Sequence, residues 1–202
     1  MDFAFTAEQE AIREAVGKIC EGFDDAYWLK RDREGGFPQD FYDALAKDGW
    51  LGICTPEAFG GAGLGITEAA IMMRTIAESG AGMSGASAVH INIFGLKPVD
   101  IYGTQAQKER MIRPMAEGRE KACFAVTEPN TGLNTTQLKL FAKRDGEVYR
   151  VTGQKVWIST AQVADRILLL VRTTPLDQVK KPTHGLSLFY TRFDRDRIKV
   201  RE

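Results

Sequence analysis

The feature that most constrains this chain is a change of hydrophobic period near Lys121. Before it, apolar residues recur at helical spacing; after it, they alternate. A helix buries a stripe that repeats about every 3.6 residues, and a half-buried strand buries every second residue. The two patterns therefore assign helices to the front of the chain and strands to the back. Segregation of this kind belongs to α+β folds, in contrast to the alternation that builds parallel βαβ sheets. The boundary is expected between residues 119 and 120, giving a helical domain over 1–119 and a β domain over 120–202.

Thr6 and Gln9 have the spacing of a capping box, and Ile12, Val16, Ile19 and Phe23 follow on one helical face. Pro38 opens a second helix at its first turn, with Phe41, Leu45 and Trp50 as its apolar positions. Thr67 starts a third that runs to Ser79-Gly80, residues 87–101 form a fourth, and a Thr104/Gln107 box begins a fifth ending near Gly118. Strands are expected over 123–126, 138–143, 148–152, 155–158, 166–172 and 186–191. Asp145-Gly146 marks a tight hairpin between two of them. Alternation resumes at Ile198-Lys-Val200 and the chain ends at Glu202, so the sheet is expected to be incomplete.

Composition excludes several classes of function. Lys plus Arg and Asp plus Glu both number 27, a balance that argues against a nucleic-acid-binding protein. No run approaches the roughly 20 apolar residues of a membrane span. Cys20, Cys54 and Cys123 are odd in number and far apart, which fits free thiols in a reducing compartment, the cytoplasm. His90 and His184 have no cysteine or carboxylate at ligand spacing, so no metal site is expected. The glycine-rich stretch Phe59-Gly-Gly-Ala-Gly-Leu-Gly65 lacks the third glycine of a dinucleotide fingerprint in either register. No Gly-Lys-Ser/Thr follows it, and it reads as a structural turn.

The chemistry-bearing segments are Phe124-Ala-Val-Thr-Glu-Pro-Asn-Thr-Gly132 and Gly153-Gln-Lys-Val-Trp-Ile-Ser159. They offer an aromatic wall, hydroxyls and main-chain N–H groups, the surroundings a flat, polar-edged ring system needs. The Thr127-Glu128-Pro129 turn and the Trp157-Ile158-Ser159 step, in this order behind a helical half, resemble the acyl-CoA dehydrogenase family, and the resemblance extends over nearly the whole chain. It implies an α-helical N-terminal domain and an antiparallel β-barrel-like middle domain, truncated before a C-terminal helical bundle. It also implies FAD-dependent α,β-dehydrogenation of an acyl-CoA thioester, electron-transfer flavoprotein as electron acceptor, and a homo-oligomer in the full-length family.

By the same resemblance, Phe124, Ala125 and Val126 line the flavin, Thr127 approaches its pyrimidine edge, Trp157 covers a face, Ser159 nears N5, and Ile158 between them belongs to the cofactor-binding set. Gly132 and Leu133 approach the ribityl and diphosphate portion, and Ser87, His90, Ile91 and Phe94 contribute to the acyl pocket. Leu133 stands where the family's loop has a serine, leaving Thr135 or Thr136 as substitute hydroxyls. No catalytic base is assigned, because the resemblance puts that glutamate in the later domain, and Glu128 reads as structural. The chain alone is accordingly expected to be inactive. Two other readings stay open: a flavin monooxygenase of the same fold and a non-catalytic fragment.

Overall fold

The computed structural model describes residues 4–201. The chain divides into two compact units, Met1–Lys121 and Ala122–Glu202. The extreme terminal residues of the expected domain limits lie outside the described residues.

The first unit is helical. Helix α1 (Ala7–Cys20) opens with the expected capping box: Gln9 N–H donates to Thr6 Oγ1 at 3.2 Å, and Thr6 N–H donates to Gln9 Oε1 at 3.1 Å. Its buried face is Ile12, Val16 and Cys20, with Ile19 and Phe23 packed beside the core. Helix α2 (Asp25–Glu34) has no counterpart in the sequence reading. It buries only Trp28, so its polar surroundings carry no periodic stripe, but Asp24 caps it by accepting from Tyr27 N–H. Trp28 joins Phe23, Tyr27 and Phe41 in a closed set of edge-to-face ring contacts, with centroids 5.0–5.2 Å apart.

Helices α3 (Gln39–Lys47) and α4 (Ile66–Ile76) supply Phe41, Leu45, Met72 and Ile76 to the same core. The cap of α4 is Gly65, whose N–H donates to Glu68 Oε2, and not Thr67. A π-helical turn (Ala77–Ala81), broken by Gly80 at φ 95°, leads into α5 (Gly82–Phe94). The single helix expected over 87–101 is therefore two: α5 and the short α6 (Lys97–Tyr102), which Pro98 begins. Helix α7 (Gln105–Ala116) starts at the expected Thr104/Gln107 box. Among the described residues, no helix is long and apolar enough to cross a membrane.

The second unit is a five-stranded sheet of β1 (Ala122–Ala125), β2 (Phe141–Asp145), β3 (Val148–Thr152), β4 (Arg166–Arg172) and β5 (Leu186–Arg192). Helices then sheet is the expected order. The sheet is nevertheless mixed and open, where the sequence reading expected an antiparallel, barrel-like one. Strand β4 pairs antiparallel with β5 but parallel with both β1 and β2. The reason is topological. β1 lies opposite Arg166 to Leu169 and β2 begins opposite Arg172, so the two run in succession along one edge of β4, parted by residues 126–140. The β2–β3 hairpin is as expected, with Gly146 at φ 60°.

Cys123, Ala125, Ile167 and Phe193 pack with Ala161 and Ala164 of the loop before β4. Leu140, Ala142 and Val171 form an adjoining cluster flanked by Leu169 and Phe189.

Candidate functional site

The interruption between β1 and β2 holds the first chemistry-bearing segment. Glu128 N–H donates to Thr131 O at 2.9 Å and Thr131 N–H returns to Glu128 O at 3.0 Å, closing a tight turn over Pro129 and Asn130. The Glu128 carboxylate is turned inward. Its Oε2 accepts from Lys139 N–H at 2.8 Å, and its Oε1 accepts from Leu140 N–H at 2.9 Å and Lys155 Nζ at 3.0 Å. Lys155 Nζ also donates to Val126 O at 2.8 Å. Both side chains are almost wholly buried, 6% and 7% exposed, so this ion pair belongs to the interior. Burial, the largest influence, pushes the Glu128 carboxyl up, but the two N–H donors and the ammonium together hold it below the usual carboxylate range. Burial pulls Lys155 down against the opposing pull of Glu128. With both oxygens occupied, Glu128 is not placed to take a substrate proton, in line with its structural reading.

The second segment meets the first through the main chain: Val156 N–H donates to Thr127 O at 2.9 Å. Residues 155–158 are not the expected strand. Trp157 sits at φ 58° and Thr160 at φ 69°, a left-handed conformation that β-pairing does not accept and non-glycine residues seldom adopt. Gly153, at φ 148°, lies so close to Leu140 that an added Cβ would meet its Cγ at 2.8 Å and its Cα at 3.0 Å. This loop ends with its indole thrown outward: Trp157 is 90% exposed. Non-glycine residues held in this conformation persist where the surroundings over-determine them, often at functional sites. Arg195 anchors the far side, donating to Ala161 O and Ala164 O, each at 2.8 Å, and lying 4.2 Å from the centroid of the Phe193 ring.

The structure thus joins residues 126–128 to Lys155 and Val156, the two residues before Trp157. Phe124, Val126, Thr127 and Ile158 are half-buried, Ser159 is exposed, and Ile158 also packs on the core. Ala125 is buried and pairs with Leu169 in the sheet. Gly132 and Leu133 lie on an open loop: Leu133 is fully exposed, and a Cβ at Gly132 would meet nothing within 4 Å. The hydroxyl of Thr136 is bonded to Asn134 Oδ1 at 2.6 Å.

In the helical unit, Ser87, His90, Ile91 and Phe94 share α5. Ile91 faces the core, Ser87 and His90 are half-buried, and Phe94 is exposed. His90 Nδ1 lies 2.8 Å from Ser87 O; a carbonyl only accepts, so Nδ1 is the donor. The His90 and Phe94 rings are 5.5 Å apart. The glycine-rich stretch is a self-satisfied turn. The N–H groups of Gly60, Gly61, Ala62, Gly63 and Leu64 all donate to nearby carbonyls, leaving no cradle for a phosphate. Among the described residues, no three His, Cys, Asp or Glu side chains gather as a metal-holding group.

Sequence reasoning missed three cations that hold the β unit: Lys155, Arg195 and Arg172. Arg172 is buried, and its guanidinium donates to the carbonyls of Thr136, Leu138, Thr174, Pro182 and His184. Main-chain acceptors have no residue signature, so only a cation at the end of an apolar strand could have hinted at it.

A helical unit followed by an open mixed sheet, with a Thr-Glu-Pro turn tied to the residues that precede an exposed tryptophan, defines the class. Residues 6–119 match the family model of the acyl-CoA dehydrogenase N-terminal domain and residues 123–202 that of the middle domain. The chain belongs to the acyl-CoA dehydrogenase family. It is 32% identical over 189 residues to acryloyl-CoA reductase (NADH) of Anaerotignum propionicum, covering 93% of this chain and 46% of that protein. It is 30% identical over 174 residues to acyl-CoA dehydrogenase FadE12 of Mycobacterium tuberculosis, covering 85% and 44%. Butyryl-CoA dehydrogenase from Megasphaera elsdenii superposes with a TM-score of 0.83 at 25% identity, over 95% of this chain and 50% of that one. The chain spans about half the length of the curated relatives it matches.

Proposed function

We propose that this chain carries the flavin-side half of an FAD-dependent oxidoreductase that forms a Cα=Cβ double bond in acyl-CoA thioesters. The observation that carries the reading is the main-chain bond from Val156 to Thr127 beside an exposed Trp157 held in a left-handed conformation. A flat ring needs an aromatic face next to a polar edge, and these residues fit that need. FAD, when bound, supplies the acceptor for the substrate's hydride. Trp157 and Ile158 would cover it, Thr127 would donate to its pyrimidine edge and Ser159 would offer a hydroxyl near N5. Phe124 and Val126 would line it, with the buried Ala125 between them. Gly132 and Leu133 would give main-chain N–H groups to the diphosphate portion, Leu133 having no hydroxyl to add.

On the substrate side, Ser87, His90 and Phe94 are the acyl-wall candidates, with Ile91 behind them in the core. The Nδ1–H bond to Ser87 O engages that ring nitrogen and leaves Nε2 for the acyl side. Proton abstraction needs a positioned base, and Glu128, with both oxygens occupied, does not provide one. Electron-transfer flavoprotein as acceptor, homo-oligomeric assembly and a cytoplasmic setting complete the proposal, the last in keeping with three free cysteines.

The test is a titration of the purified chain with FAD, following tryptophan quenching and the flavin absorption band, together with a dye-reduction assay. Binding should weaken about tenfold in Trp157→Ala, the worth of one aromatic contact. Turnover on acyl-CoAs should be absent until the remaining part of the protein is supplied. A Trp157→Ala chain that binds FAD as tightly as the parent would remove the basis of the reading.

A further inference from the structure

We propose that Lys155 is a positioning residue for the flavin face: its ammonium pins together the two segments that carry Thr127 and Trp157. The inference rests on the flavin reading above and adds to it a residue outside the expected contact set. Lys155 bonds on both sides of Thr127, to Val126 O at 2.8 Å and to the Glu128 carboxylate at 3.0 Å. It lies two residues before Trp157, and the intervening Val156 N–H takes the carbonyl of Thr127 itself at 2.9 Å. The circuit closes through Leu140, whose N–H donates to Glu128 and whose side chain abuts Gly153.

Charge balance alone would not require this arrangement. The buried Glu128 carboxylate has two main-chain donors and needs one counter-charge, which the single bond from Lys155 supplies. The bond from Lys155 to Val126 O does nothing for that carboxylate. It fixes where the chain enters Thr127, and so where the Thr127 hydroxyl stands relative to Trp157. A single ammonium with three donors and a flexible stem can serve two oxygens on one segment while its own backbone leads into the other.

The experiment compares the 202-residue chain with Lys155→Met and with the charge-balanced Glu128→Gln/Lys155→Met. Three quantities are read: urea stability, FAD affinity, and amide exchange at Val156 against that of β4. Lys155→Met strands a buried carboxylate and is expected to be unstable; the double variant relieves this and carries the test if the single one does not fold. If Lys155 positions the site, the double variant regains stability. FAD binding nevertheless stays weaker and Val156 exchange faster, each by about tenfold, the worth of one hydrogen bond to a charged group. The β4 amides exchange as in the parent. A double variant that binds FAD within about twofold of the parent and keeps Val156 protected would overturn the proposal. If the parent chain itself binds no FAD, the functional reading fails, and Val156 exchange alone decides whether Lys155 holds the two segments.

Discussion

Replacing Arg172 by Met keeps the unbranched apolar stem of the side chain and removes the guanidinium with every donor. Three of its bonds are short: Thr136 O at 2.7 Å, and Pro182 O and His184 O at 3.0 Å. Two, to Leu138 O and Thr174 O, are 3.4 Å and count for little. At roughly 1.5 kcal/mol net for each short bond from a charged donor, the loss is about 4.5 kcal/mol. Relief from burying a guanidinium returns part of that, leaving a net cost of about 3 kcal/mol to the β unit. With a urea slope near 1 kcal/mol per M for a unit of this size, the midpoint should fall by about 3 M. Hydrogen exchange of the β4 and β5 amides across a urea series isolates this unit from the helical one. Arg172→Lys should recover less than half, since one ammonium cannot reach five carbonyls in the guanidinium's fixed fork. A loss under about 1 kcal/mol in Arg172→Met would show that water serves these carbonyls as well, and that Arg172 does not hold the loops together.

Gly61→Ala should cost the helical unit about 3 kcal/mol in thermal or urea unfolding, because its Cβ would stand 2.1 Å from Thr55 O and 2.5 Å from Gly52 O, both main-chain atoms. Gly146→Ala, where a Cβ meets nothing within 4 Å, should cost only the left-handed backbone penalty of about 1 kcal/mol. The Glu128 carboxyl lies below its ordinary value in the folded chain. Its stabilisation is therefore complete above the unfolded value of about 4.3 and is lost as pH falls through the folded one; Glu128→Gln should be less stable at neutral pH and flatter in an acid titration followed by circular dichroism. Burial pushes the Cys123 thiol up to about 12 and also raises Cys20 and the half-exposed Cys54. A thiol-specific dye at pH 8 should label Cys54 first, and the two buried cysteines only after unfolding.

What the sequence made legible is local. Capping boxes at Thr6 and Thr104 and the Gly146 hairpin each involve residues within a few positions of one another, and their chemistry is written in residue type. Helix α2 was hidden because a helix that buries one residue has no period to read. Parallel pairing of β1 with β4 joins residues more than 40 positions apart, for which alternation is silent. The missing strand at 155–158 failed for a third reason: nothing in the identity of Trp157 announces a positive φ. At the candidate site the Thr127-Glu128-Pro129 turn was legible as a turn and Glu128 as structural. The partners of Glu128 were not, because two of them are main-chain N–H groups.

The ion pair's composition follows from the interrupted sheet edge. Where β1 stops pairing with β4, Val126 O, Lys139 N–H and Leu140 N–H are left near the interior without a strand partner. Two orphan donors need an acceptor and one orphan carbonyl needs a donor; a glutamate and a lysine meet that need, whereas no pair of apolar residues does. In many proteins an apolar replacement of a buried ion pair is neutral or stabilising. Here it should be the reverse. Glu128→Leu/Lys155→Met would leave all three main-chain groups unpaired, whereas Glu128→Gln/Lys155→Met keeps an amide oxygen for at least one N–H. The apolar double variant should therefore be less stable than the polar one by about 2 kcal/mol, the cost of one buried unsatisfied group, in urea unfolding followed at the β4 amides. Equal stability, or an advantage for the apolar pair, would mean that water reaches the interrupted edge and that the ion pair is not its substitute for a strand.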